Sequence, residues 1–94
     1  MATTVSLKSG RIVEQKNGSQ IRSYGSNIID ADTDGEIVAA VDSHGRVIEY
    51  KNGSQVLSYA SNATRVQVSG GIVAVTTSNG RTVEYRNGSQ LRSY

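Results

Sequence analysis

One stretch occurs three times along the chain. Residues 10–27 read GRIVEQKNGSQIRSYGSN, residues 45–62 read GRVIEYKNGSQVLSYASN, and residues 80–94 read GRTVEYRNGSQLRSY. The offset is 35 residues at both steps (45 − 10 and 80 − 45). Each copy sets two runs of strand-forming residues around an Asn-Gly pair: Asn17-Gly18, Asn52-Gly53 and Asn87-Gly88. A two-residue type I′ turn needs positive φ at both central positions, which Asn and Gly tolerate, so each copy predicts a β-hairpin.

The intervening segments repeat as well. Residues 63–79 read ATRVQVSGGIVAVTTSN, and 28–44 read IIDADTDGEIVAAVDSH, with Gly35 on Gly70 and Ile37-Val38-Ala39 on Ile72-Val73-Ala74. A full unit therefore holds four strand candidates: a (about 64–68), b (72–77), c (81–86) and d (89–94). Val66 and Val68 alternate in strand a. In strand b, Val73 and Val75 face one way, with Ile72 and Ala74 on the other side. In strand c, Arg81, Val83 and Tyr85 share one face and Thr82, Glu84 and Arg86 the other. Gly-rich turns and Ser-Asn linkers separate the runs, and helical periodicity is absent. The first unit is short. Counted back from Gly10, residues 2–9 fall on strand b at 37–44, and no strand a precedes them. The chain reads as b-c-d, a-b-c-d, a-b-c-d, or eleven strands in one repeat domain, 1–94, with units at 1–27, 28–62 and 63–94.

Apolar residues make up 36% of the chain, too few for a large self-sufficient core in so short a protein. Oligomerisation is one standard remedy. There is no Cys, which rules out disulfides and thiolate metal sites. The net charge is +2 with basic residues scattered through the repeats, which argues against nucleic acid as a partner. No apolar run is long enough to span a membrane as a helix, and MATTVSLKSG lacks the pattern of a secretory leader, so a cytoplasmic location is the default expectation.

Four antiparallel strands per unit, joined by short linkers, resemble the blades of β-propellers. Strands b to d, as in IVAVTTSNGRTVEYRNGSQLRSY, resemble quinoprotein-type and related repeat propellers. The shared features are an apolar b strand, a Gly before strand c, an Asn-Gly hairpin and a final aromatic. The Trp-Asp signature of one large propeller family and the tryptophans of many propeller lectins are absent. The resemblance implies a ring, and three blades are too few, since propellers have roughly four to eight. Two chains supply six, which makes a head-to-tail homodimer the expected partner arrangement, with a trimer second. The rival three-repeat fold, a β-trefoil, fits the strand bookkeeping less well.

Three constellations bear on chemistry. Asp30, Asp32 and Asp34 precede Gly35 as in the opening of a calcium loop, although positions 9 and 12 of that pattern are Val38 and Val41. Asp42-Ser43-His44 has the residue types of a triad, but consecutive residues on a tight turn cannot form the relay, so no catalytic residue is expected. Tyr24, Tyr59 and Tyr94 close strand d, Tyr50 and Tyr85 lie in strand c, and Arg46 and Arg81 open it. These tyrosines serve either to pack between units or, with the arginines, to stack glycans at one shallow site per unit. Glu14, Glu49 and Glu84 lie on the same faces as Lys16, Lys51 and Arg86 and are expected to pair with them. The expected function is a non-enzymatic oligomeric module for binding or assembly, with carbohydrate as the candidate ligand. The alternative is a purely structural self-assembling repeat protein without a small ligand.

Overall fold

The structure is a computed structural model that describes residues 3–94, so Met1 and Ala2, which the sequence places at the start of the first unit, lie outside the described residues. Among the described residues, eleven strands and no helix make up the fold. The first sheet holds β1 (Thr3–Lys8), β2 (Arg11–Lys16) and β3 (Ser19–Tyr24). The second holds β4 (Ile28–Thr33), β5 (Val38–Asp42), β6 (Val47–Lys51) and β7 (Ser54–Tyr59). The third holds β8 (Ala63–Ser69), β9 (Ile72–Thr77), β10 (Thr82–Arg86) and β11 (Ser89–Ser93). Each is an antiparallel meander in sequence order. The expected strands a to d of the last unit coincide with β8 to β11, and the first sheet lacks strand a.

The Asn-Gly pairs turn as expected. Asn17, Asn52 and Asn87 have φ of 54°, 53° and 51°, and the following glycines 83°, 82° and 79°. A β-bulge follows in every hairpin, between Glu14 and Gln15, Glu49 and Tyr50, and Glu84 and Tyr85. It skips Ile21, Val56 and Leu91, which are left about half exposed. It also places Arg22 opposite Glu14 and Arg92 opposite Glu84.

The first unit corrects the sequence alignment by one residue. Leu7 pairs with Ile12 as Val41 pairs with Val47, so β1 matches β5 at an offset of 34 (41 − 7), while β2 matches β6 at 35 (47 − 12). The cause is the turn. Ser9 and Gly10, with φ of 53° and 77°, close β1 onto β2 in two residues. In the second sheet, Asp42 donates its amide to the Arg46 carbonyl at 3.0 Å across a longer turn. Leu7, Val5 and Ser6 therefore occupy the positions of Val41, Ala39 and Ala40.

Two apolar layers lie between the sheets. Ile12, Ile28, Val38, Ala40 and Tyr50 join the first sheet to the second. Ala39, Val41, Val47, Ala63, Val66, Val68, Val73 and Val75 join the second to the third. The middle strand β5 feeds both layers, so Val38 to Val41 are all buried. The alternation of strand b in the sequence is thus an alternation between two neighbours. Identical joints reinforce the layers. The Ile28 amide donates to the Gly10 carbonyl and the Ala63 amide to the Gly45 carbonyl, both at 2.9 Å. A Cβ on Gly45 would meet the Asn62 amide nitrogen at 2.9 Å, so this close approach needs glycine.

Candidate functional site

The repeated residues converge at the boundaries between sheets. Each d strand returns its final tyrosine beside the glutamate of strand c. The Tyr24 hydroxyl donates to Glu14, that of Tyr59 to Glu49 and that of Tyr94 to Glu84. Glu14 also pairs with Arg22 at 2.7 Å, and Glu84 with Arg92 at 3.2 Å. The expected partners Lys16, Lys51 and Arg86 are not used. The bulge turns the d strand so that Arg22 and Arg92 stand directly across from the carboxylates. In the second sheet, Leu57 holds the arginine position, and Glu49 keeps only Tyr59 as a side-chain partner among the described residues.

Packing against the next sheet buries these groups. Glu14 and Glu49 are 4% and 2% exposed. Burial, and then the hydrogen bond to the glutamate, push the Tyr24 and Tyr59 hydroxyls well above the ordinary tyrosine range. The Asn-Gly hairpin of the following sheet closes over each set. An added Cβ on Gly53 would lie 2.8 Å from Arg22 Cδ and 3.7 Å from Tyr24 Cδ1. One on Gly88 would lie 3.6 Å from Leu57 and 3.7 Å from Tyr59. Tyrosine rings meet across the same boundaries, Tyr24 on Tyr50 at 4.7 Å and Tyr59 on Tyr85 at 4.6 Å between centroids.

At the far end of the stack, the set has no cover. Tyr94 is 62% exposed, and its hydroxyl is raised by the hydrogen bond to Glu84 first. Gly18, the hairpin glycine of the first sheet, has nothing within 4 Å, and neither has Gly80, which corresponds to Gly45.

The arginines that open strand c brace their own hairpins. The Arg46 guanidinium reaches Ser58 Oγ at 3.0 Å, that of Arg81 reaches Ser93 Oγ at 2.9 Å, and Arg11 bonds the Ser23 and Gly25 carbonyls at 3.2 and 3.3 Å. A shallow groove of about 700 Å³ runs beside Tyr24 and Tyr50, with Arg11, Asp42, His44 and Gln55 on its walls. Tyr50 is 6% exposed, with its ring edge on the groove. Burial, then the Asp42 charge, raise its titration. Asp42 itself caps the turn, its Oδ1 accepting the His44 and Arg46 amides at 2.9 and 3.0 Å.

The three aspartates take a role that the calcium pattern does not foresee. Asp30 Oδ2 accepts the Val66 amide at 2.9 Å, Asp32 Oδ2 the Val68 amide at 2.7 Å, and Asp34 Oδ2 the Gly71 amide at 2.9 Å. They stitch β4 to the open edge of β8. Burial pushes the Asp34 carboxyl up, but amide donors from Glu36, Ile37 and Gly71 outweigh it and hold the group below its ordinary value. No group of three or more metal-ligating side chains is gathered among the described residues. The reason is geometric: alternate residues on a strand share a face but point at successive amides rather than at one centre. Sequence reasoning also passed over Arg22 and Arg92, although the endings Arg22-Ser23-Tyr24 and Arg92-Ser93-Tyr94 are identical.

No curated protein matches the chain. One family model does, at residues 1–58 and 49–94, and together these matches span the whole sequence. The chain belongs to the family described as the Helicobacter pylori IceA2 protein.

Proposed function

We propose that this protein is a non-enzymatic assembly module: a stack of propeller-type blades that docks further blades of its own kind. The observation that carries this reading is the exposed set Glu84, Arg92 and Tyr94. It repeats, residue for residue, the set Glu14, Arg22 and Tyr24 that the second sheet covers. The matching knob is the uncovered Gly18 hairpin at the other end, equivalent to Gly53 and Gly88. A head-to-tail homodimer of two three-blade chains supplies six blades, and a trimer nine, beyond the usual range.

The terminal faces are more polar than the internal ones. Thr76 and Thr82 stand where the second sheet has Val41 and Val47, and Thr4 and Gln15 where it has Val38 and Tyr50. Each exchange of a buried methyl for a hydroxyl weakens an interface by on the order of 1 kcal/mol or more. The association is therefore reversible and weaker than the joints within the chain. Sedimentation equilibrium over a range of concentrations tests it. The mass rises towards that of a dimer, and Arg92→Glu abolishes the rise without changing the circular dichroism spectrum. A monomer at every concentration refutes the reading.

A second reading, carbohydrate binding, rests on the groove that sets Tyr24 and Tyr50 beside Arg11, Asp42 and His44. Tyr24, Tyr59, Tyr94, Tyr50, Tyr85, Arg46 and Arg81 are its candidate contacts across the repeats. Saturable binding on a glycan array, lost in Tyr50→Phe, supports it. A flat array sinks it.

A further inference from the structure

The groove beside Tyr24 and Tyr50 has a counterpart one repeat later, beside Tyr59 and Tyr85. Most of its wall recurs there. Arg11, Asn27, Gly53 and Gln55 return as Arg46, Asn62, Gly88 and Gln90. The backbone frame recurs too. The Ser43 amide donates to the Asn27 carbonyl and the Ser78 amide to the Asn62 carbonyl, both at 2.8 Å. The Asp42 and Thr77 amides donate to the Arg46 and Arg81 carbonyls at 3.0 and 2.9 Å.

Apart from the exchange of Ile48 for Val83, three wall positions differ: Gly25, Asp42 and His44 become Ala60, Thr77 and Asn79. Ala60 has a φ of 70°, near the 83° of Gly25, so the two backbones match and a methyl group is the difference. A Cβ on Gly25 would stand 3.4 Å from the Tyr50 hydroxyl oxygen, at the mouth of the groove. At the second boundary, Ala60 packs with Tyr59 and Tyr85 against the apolar layer. The turn residues differ in what they leave for a ligand. Asp42 caps its turn through Oδ1, and its charge acts on the Tyr50 hydroxyl, so the carboxylate borders the groove. The Thr77 hydroxyl instead accepts the Arg81 amide at 3.2 Å and donates to Asn79 Oδ1, which turns both side chains onto their own loop.

We propose that the groove between the first and second sheets binds one neutral sugar, and that Gly25, Asp42 and His44 distinguish it from the groove one repeat later. The inference rests on the carbohydrate reading above, and replaces one site per unit with a single site. The groove holds about 700 Å³, within the range of small-molecule sites. A sugar hydroxyl both donates and accepts. The Asp42 carboxylate accepts from such hydroxyls, while the Arg11 guanidinium and the Gln55 amide donate to them. The tyrosine edges and Ile48 meet the C–H faces of the ring. Asp42 repels a sugar that carries its own carboxylate, and Arg11 beside it offsets that repulsion only in part, because its guanidinium is engaged by Ser23 and Gly25.

The probes are the methyl glycosides of glucose, galactose, mannose and glucuronic acid, added to the full chain labelled with nitrogen-15. The expected result is saturable binding of a neutral glycoside, with amide shifts at Gly25, Ser26, Asn27 and His44 and none at Ala60, Ser61, Asn62 and Asn79. Asp42→Asn keeps the turn cap, because its amide oxygen still accepts, yet weakens binding about tenfold. Gly25→Ala abolishes binding with the fold intact, since Ala60 already occupies the same backbone. The triple change Ala60→Gly, Thr77→Asp and Asn79→His creates a second site, read as new shifts at residues 60–62 and 79. Shifts at both grooves of the parent chain, glucuronoside binding as tight as that of the neutral glycosides, or full affinity in Gly25→Ala and Asp42→Asn overturns this inference and leaves the carbohydrate reading standing. A triple variant with no new shifts overturns the role of the three residues. Absence of saturable binding by all four glycosides overturns both the inference and the reading beneath it.

Discussion

The hydroxyl of Tyr59 donates to the carboxylate of Glu49 across the second hairpin, and no cation accompanies that buried carboxylate among the described residues. In the first sheet, the same pair is joined by Arg22. A buried carboxylate without a counter-charge is costly, whereas one within a salt bridge leaves a cation behind when it is removed. Glu14→Gln should therefore destabilise by about 1–3 kcal/mol, because Arg22 loses its anion. Glu49→Gln should be close to neutral, because the amide oxygen still accepts from Tyr59. Urea unfolding of the two variants checks the contrast, and equal losses contradict it.

Leu57 occupies the position of Arg22 and Arg92, with its methyl groups against the Gly88 hairpin. Leu57→Arg should restore the missing counter-charge to Glu49. The arginine stem can cover the glycine as that of Arg22 covers Gly53. A gain of about 1 kcal/mol is expected from a charge-assisted hydrogen bond, read as a raised Tm that shrinks when Glu49 is also changed to Gln.

Alkaline titration should reveal the buried tyrosines. Burial and the adjoining glutamates raise Tyr24 and Tyr59 above the ordinary value of 10.0. The folded state holds these protons more tightly than the unfolded chain, so the contribution is complete below pH 10 and is lost as pH rises above it. Thermal melts between about pH 8 and 11.5 should show falling stability at the upper end, less steeply in Tyr59→Phe. A flat profile in the parent protein excludes the linkage.

Asp34 gives the opposite sign. Its carboxyl titrates below the ordinary 3.8 in the folded state, so its contribution is present above that value and is lost as the solution is acidified below it. Asp34→Asn should flatten the acid limb of the stability profile and speed amide exchange at Gly71. Unchanged exchange at Gly71 would mean that the carboxylate does not hold that amide.

Gly53 and Gly18 have nearly the same φ, 82° and 83°, but only Gly53 is packed against Arg22. Gly53→Ala should cost more than Gly18→Ala at low concentration. The latter pays only for its left-handed backbone, about 1–2 kcal/mol. At concentrations where the protein associates, Gly18→Ala should also weaken the dimer, measured by sedimentation.

Much of the fold was legible because each signal was local. Asn-Gly between alternating runs gave the hairpins, and repetition of those hairpins gave the strand count. The opposed apolar faces of strand b meet two neighbours in the second sheet, where Ala39 and Val41 enter one layer and Val38 and Ala40 the other, whereas in the last sheet Val73 and Val75 meet the only neighbouring sheet described. What stayed hidden depended on register or on distance. The shorter Ser9-Gly10 turn shifts β1 by one residue, and composition carries no trace of it. The bulges at Ile21, Val56 and Leu91 decide which basic residue meets each glutamate, and they lie in the pairing of strands rather than in either strand alone. The aspartates bond amides 36 or 37 residues away, so a local motif search reads them as a loop for a cation.

Among the described residues, the main contacts between sheets join the first to the second and the second to the third. Cooperativity in such a molecule extends by nearest neighbours. The second sheet is the one braced on both sides, by the Gly10–Ile28 joint and by the Gly45–Ala63 joint. Opening of either end should therefore proceed without the other, while loss of the middle dissolves everything at once. The slowest-exchanging amides should belong to β5 and β6, with protection that matches the global unfolding free energy.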